Sequence, residues 1–254
     1  MKTVFILLII LSFAFFGFAQ NQPDVTNKTE RDLETVIVSP PEFTGVKDYM
    51  NYTHNGPSRI KAYVASNINY PQESIRCGQQ GTEVVKFTVT AEGEVENIRI
   101  INHVCPEIDS EMTRVLKSTN GMWKPGLRDE QPSNMEYEMY LTFSLENNVE
   151  DAKAIFIELT KKYFVAGSRN LYLKHKARKA EKQFDQAITL WPYDSNLLLM
   201  RGICRLERGN IEGARSDWER FEELSDIDMN ITTLNEAITQ SDSYNEFLSL
   251  MQKE

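Results

Sequence analysis

The chain has 254 residues, a formal net charge of −9 at pH 7, 41% hydrophobic and 26% charged residues, 12 Gly and 9 Pro. Those totals exclude collagen-like, wholly disordered, disulfide-dense and multi-span membrane classes. The acidic balance argues against a nucleic-acid binder, which needs a basic face, and the 3 Cys sit at no zinc spacing.

Residues 1–19 read as an export signal. Lys2 precedes an apolar run from Val4 to Ala19 broken only by Ser12, and Gly17 and Ala19 are the small residues a signal peptidase accepts before Gln20. The run is shorter than the roughly 20 residues a spanning helix needs, and no Lys or Arg follows it until Lys28. An uncleaved inner-membrane anchor over residues 4–19 is the rival. Export implies an oxidising compartment, the periplasm. Residues 20–39 then form a flexible lead-in, with one short strand around Val36–Val38.

Residues 40–146 alternate between helical and extended patterns. SRIKAYVASN (58–67) spaces Ile60, Tyr63 and Val64 as a helix, with Ser58 at its N-cap and Tyr70-Pro71 beyond its end. TEVVKFTV (82–89) sets Val85, Phe87 and Val89 against Thr82, Val84, Lys86 and Thr88. Gly93 supplies a positive φ in the turn Ala91-Glu92-Gly93, and 94–104 returns as the hairpin partner. Residues 107–119 carry the stripe Ile108, Met112, Val115, Leu116, capped by Asp109 or Ser110. Residues 134–145 alternate again. The order predicts an α+β module, a small antiparallel three-stranded sheet with two helices on one face.

Residues 147–254 change character: Pro192 is their only proline, and an internal repeat emerges at a lag of 34 residues. Ala180 and Ala214, Phe184 and Trp218, and Ala187 and Phe221 correspond, with Gly202 and Gly209 in the second copy and Pro192 closing the first. This resembles the tetratricopeptide (TPR) pattern. The implied all-α TPR helical-hairpin stack spans about 161–228, with tail helices near 231–239 and 243–252 as a cap.

The first module, in turn, resembles the C-terminal domain of the TonB family. The resemblance rests on PPEFTG (40–45), Tyr70-Pro71 after a helix, Gln80-Gly81-Thr82 opening the hairpin, AEGEVENIRI (91–100), IDSEM (108–112), WKPG (123–126) and a final strand, in that order. It implies a periplasmic domain that docks onto outer-membrane transporters by pairing their N-terminal box with its last strand. Energised members of the family are anchored in the inner membrane and reach across the periplasm through a long Pro-rich linker. Here the N-terminal run looks cleavable and the linker has Pro23, Pro40 and Pro41 only, so any transport role reduces to binding, competition or scaffolding.

The candidate partner-binding residues are Tyr70 and Pro71, through the family resemblance, and Asn134, Glu136, Glu138, Tyr140 and Thr142 on the outward row of the last strand. Tyr70 packing on the sheet and Pro71 ending a helix is the alternative for the first pair. A protected edge, or a homodimer through the last strand, is the alternative for the second set. Pairing the hairpin about Glu92 sets Cys105 near Cys77, so a Cys77–Cys105 disulfide worth about 3 kcal/mol competes with two free thiols. No catalytic motif appears, and His54, His103 and His175 lie in three different segments. The reading is therefore a non-enzyme without cofactor or metal, binding a transporter peptide or another envelope protein. Residues 161–182 are strongly basic and 207–228 acidic, a contrast read as a solvated surface pairing the two repeats, with a peptide-carboxylate groove as the alternative.

Overall fold

The computed structural model describes residues 37–45, 59–146 and 148–225. The export signal, most of the lead-in, the Ser58 cap and the two tail helices lie outside the described residues. No helix among the described residues is long and apolar enough to cross a membrane.

Along the chain come β1 (Val38–Ser39), β2 (Glu42–Phe43), α1 (Arg59–Asn67), α2 (Gln72–Arg76), β3 (Gly81–Val89), β4 (Val95–Asn102) and α3 (Pro106–Lys117). Then follow β5 (Trp123–Lys124), β6 (Gly126–Arg128), β7 (Gln131–Ser133) and β8 (Met135–Phe143). The main sheet is antiparallel in the order β4-β3-β8, flanked by two small sheets, β1-β6-β7 and β2-β5. The mixed α+β architecture follows the sequence pattern, but α2 and the short strands around the WKPG turn were not legible in it.

The inner face of the sheet carries the alternation read from the sequence. Val85, Phe87 and Val89 of β3 meet Met139 and Phe143 of β8, and Ile60 and Val64 of α1 join Ile108, Met112, Val115 and Leu116 of α3 in one core. Trp123 closes it, edge-on to Phe43 at 5.2 Å and to Phe87 at 5.5 Å. Helix α3 begins one turn earlier than the expected caps: Cys105 is its N-cap and Pro106 its first residue, so Asp109 and Ser110 fall inside the helix. Proline suits that first position because its missing N–H would have no helical partner.

The chain continues as α4 (Val149–Ser168), a π-helical turn (Arg169–Leu173), α5 (Ala177–Leu190), α6 (Ser195–Glu207) and α7 (Ile211–Ser225). Asn148, Asp194 and Asn210 accept backbone N–H groups at the starts of α4, α6 and α7. Helices α5 and α7 begin at the 34-residue lag, with Ala180 and Ala214 buried at matching places. Gly167 of α4 lies so close to Phe184 that an added Cβ would stand 2.7 Å from its ring.

These helices pack on the outer face of the sheet, which the sequence reading left to solvent. Thr82 Oγ1 donates to Leu190 O at 3.1 Å, and Asn102 Nδ2 reaches Ile188 O at 3.3 Å. Gly81 permits that approach, since a Cβ there would be 2.7 Å from Thr189 O. Val84 is buried as a result. A charged cluster fixes the contact at the far end: Glu138 of β8 accepts from Arg220 at 2.7 and 2.8 Å and from Tyr193 at 3.0 Å, while Lys86 donates to Glu223 at 2.8 Å.

The hairpin turn is fixed by Gly93, whose φ is +82°. A Cβ there would also stand 2.4 Å from Trp123 O, whereas Gly121, at φ +72°, has open space around it. Gly93→Ala is therefore expected to cost about 2–3 kcal/mol and Gly121→Ala about 1 kcal/mol, read as shifts in the urea unfolding midpoint. Equal losses would show that the Trp123 carbonyl yields to the new methyl.

Candidate functional site

Among the described residues, β8 pairs with β3 on one side and with no strand on the other. Its unpaired rim is crossed at one point by Lys61. Helix α1 packs on the inner face, yet Lys61 Nζ lies 3.5 Å from the centroid of the Tyr140 ring on the outer face. A lysine over a strand edge guards it against indiscriminate pairing.

Beside that rim a groove of about 580 Å³ opens on the outer face. Tyr140, Thr142 and Ser144 form its floor, Val149, Ala152 and Phe156 of α4 one wall, and Leu190–Tyr193 the other. Tyr140 meets Tyr193 edge-on at 5.5 Å, and Val149 is 80% exposed at the groove mouth. The site thus joins the sheet to the helices that follow it, and no local pattern in either segment announces it. An apolar residue (Tyr140) in an otherwise polar row was the one available signal.

The candidate residues separate. Tyr140 and Thr142 come together in the groove, with Thr142 Oγ1 3.3 Å from Thr82 Oγ1. Asn134 instead holds the hairpin turn, accepting from Ala91 N at 2.8 Å. Glu136 pairs with Arg99 across the sheet. Glu138 is bound by Arg220, Tyr193 and Lys86. Tyr70 donates to Gln79 O and packs edge-on against Phe143 at 5.3 Å, and Pro71 is the N-cap of α2. Tyr70 thus packs on the sheet outside the groove, while Pro71 opens α2 instead of ending α1, which stops at Asn67.

The expected disulfide is absent from the structure: Cys77 and Cys105 are both free thiols. Two register shifts between β3 and β4, with Asn97 at φ +50°, displace the hairpin from a uniform pairing about Glu92. Cys105 is buried with Sγ 3.2 Å from Ser74 Oγ, while Cys77 is exposed and donates to Glu73 at 3.4 Å. The charge contrast of the helices also resolves differently. Asp217 pairs with Arg201 at 2.7 Å and Arg205 at 2.9 Å of α6, and Glu223 with Lys86 of β3, rather than with the basic stretch.

One buried acid carries unusual electrostatics. Glu83, on the inner face of β3, is fully buried; its Oε2 accepts from Val104 N at 2.9 Å. Its Oε1 is buried without a hydrogen-bond partner, as is Asp109 Oδ1. Burial pushes the Glu83 carboxyl well above the usual carboxylate range, the Val104 N–H opposes that, and Asp109 adds to the rise. His103 stands 3.8 Å from the other Asp109 oxygen. Sealed in the core, Glu83 meets no substrate; it acts as a neutral hydrogen-bonding acid. Among the described residues, no group of three or more His, Cys, Asp or Glu is placed to hold a metal ion.

Residues 66–145 match the family model described as Gram-negative bacterial TonB protein C-terminal. The match ends before α4, so the helices lie outside it. Two solved structures, both NMR solution structures of the Helicobacter pylori TonB C-terminal domain, are similar at 21% and 22% identity. Each covers 35% of this chain, with 92% and 79% of their own lengths and TM-scores of 0.29 and 0.30. No curated protein matches the chain.

Because folding raises the proton affinity of Glu83, its contribution to stability is complete below the unfolded-state value near 4.5 and drains away as pH climbs above that into the neutral range. Glu83→Gln retains the donor and acceptor without the charge. Its unfolding midpoint is expected to vary less than wild type between pH 5 and 8, with the gap favouring the variant at pH 8. An unchanged slope would place the titration elsewhere.

Proposed function

We propose that this chain is an exported binding protein that takes an extended peptide, the N-terminal box of an outer-membrane TonB-dependent transporter, as an added strand on the β8 rim. The TonB C-terminal domain is a non-enzymatic interaction module of the cell envelope, associated with TonB-dependent transport, and its family model covers β3, β4, α3 and β8. The observation that carries the reading is the β8 edge: a nine-residue strand, paired on one side only among the described residues, beside an apolar groove. Unpaired N–H and C=O groups in register favour an extended backbone, and the groove favours an apolar side chain on alternate residues of that peptide.

In this reading residues 1–19 are removed after Ala19 and the mature protein is periplasmic. Helices α4–α7 are two TPR-like hairpins, in line with the matching starts of α5 and α7. They act as the second wall of the peptide groove. Without a retained membrane anchor the protein transmits no force, so its role is binding, competition or scaffolding.

The second reading is an envelope adaptor that binds a protein through the helical groove. The cleft between β4 and helices α6 and α7 favours it, at about 660 Å³. Its charges are largely consumed internally, however: Arg201 is held by Asp185 at 3.1 Å as well as by Asp217. That leaves little unsatisfied polarity to recognise a partner.

Titration of transporter N-terminal peptides tests the choice, because backbone pairing can be removed from the peptide without touching the protein. Methylating the alternate amides that face β8 is expected to weaken binding at least tenfold, and methylating the other set to change it little. Trp191→Ala, on the groove wall, is expected to weaken binding severalfold. Equal tolerance of both methylated sets, or no binding of any peptide, would sink strand addition and leave the adaptor.

A further inference from the structure

The tip of the α4–α5 hairpin is the most cationic surface among the described residues of an otherwise acidic protein, and the proposed function does not use it. Between Glu158 and Glu181 the chain has no carboxylate side chain. Arg169, Lys174, Lys176, Arg178, Lys179 and Lys182 are all exposed, and the structure gives none of them an ion-pair partner among the described residues. Glu181 does not offset them, because it is buried and turned to Arg205 and Arg208 of α6 and the turn beyond it.

Helix geometry confines this charge to a small area. At 1.5 Å per residue, Lys182 lies about 8 Å along α5 from its start, and Lys162 about 9 Å before the end of α4. The whole set falls within roughly one Debye length of the tip at physiological salt. The local charge is therefore positive although the whole chain, these cations included, carries −9.

Two apolar side chains are exposed inside the same area. Leu173, in the π-helical turn, is 76% exposed, and Val165 is 55% exposed on the α4 stripe that also carries Lys161, Lys162 and Arg169. The turn is shaped to present Leu173: Lys176 N donates to Asn170 O at 2.8 Å, His175 N to Leu171 O at 3.1 Å, and His175 takes φ +50°. Leu171 points into the helical core while Leu173 points out.

We propose that the α4–α5 tip docks on a bilayer surface bearing anionic headgroups, with the cations at the phosphates and Leu173 and Val165 entering the interface. Charge alone would suit a soluble acidic peptide equally well. The exposed leucine and valine among the cations favour the bilayer, which covers apolar surface and neutralises charge together. Each cation near an anionic surface is worth about a fivefold gain in binding, so several acting together are needed, and the tip supplies them.

The test is vesicle co-sedimentation with the chain from Gln20 onward, which removes the apolar run of residues 4–19 as a rival anchor. Vesicles of phosphatidylcholine alone are compared with vesicles containing one-third phosphatidylglycerol. Binding is expected only to the second, falling steeply with salt. The triple variant Lys174→Gln, Lys176→Gln, Lys179→Gln is expected to bind on the order of a hundredfold more weakly with an unchanged circular dichroism spectrum. Leu173→Asn is expected to reduce the binding that persists at 0.5 M salt by about tenfold. Equal binding to both vesicle types, or to wild type and the triple variant, overturns the proposal. So does polyglutamate binding as tight as vesicle binding together with indifference to Leu173→Asn, which would assign the tip to an acidic protein.

Discussion

Strand β3 is covered on both faces, and the rest of the molecule is arranged by that fact. Its inner side packs on α1 and α3, and its outer side on α5 and α7. A small three-stranded sheet with one face in water would offer that face to partners. Here the outer face is covered in its middle by the chain itself, through Lys86, Glu138, Arg220 and Glu223. The side chains of Lys86 and Arg220 are only 16% and 13% exposed, so removing one charge would strand its partners in a poorly solvated place. What remains available is the rim of β8, the two clefts left between sheet and helices, and the helix surfaces that face away from the sheet.

Closure explains which parts of the fold were legible in the sequence. The inner face announced itself by strict alternation in 82–89 and 134–145, and α3 by its apolar stripe, because each buries one side against a continuous core. The outer face was misread because its contacts are ionic. Lys86, Glu138 and Arg220 look like surface residues in any local window, and only their convergence from segments far apart in sequence reveals a junction. Val84 and Tyr140, apolar positions in the outward rows, were the residual signal. The same limit applies to Cys77 and Cys105: a hairpin extrapolated at constant register brings them together, and the bulge at Asn97 does not keep that register.

The site was half legible for the same reason. Its rim follows from strand alternation and from the family resemblance, but its wall comes from α4 and from the Leu190–Tyr193 segment. A domain of this family ending near residue 145 would carry the strand without that wall. On the proposed strand addition, the added helices restrict what can lie beside β8: a peptide entering there would pass Lys61 at the rim and seat a side chain between Tyr140, Phe156 and Trp191. Appending helices to an edge strand in this way converts a sequence-tolerant backbone interaction into a selective one.

Helix α4 links this groove to the cationic tip and keeps them apart. Its first turns, Val149 to Phe156, line the groove, and its last turns, Lys161 to Arg169, carry exposed cations. Lys161 follows Phe156 by about 8 Å, one Debye length at physiological salt, and the end of α4 lies about 18 Å from Phe156. Charge at the tip is therefore screened but not absent at the groove, and if both proposals hold, the two surfaces are engaged at once only by a partner whose peptide reaches about that far above the bilayer. On those two proposals, a helix between the edge and the tip fixes that height by its length, and no mobile linker of the same number of residues would do so.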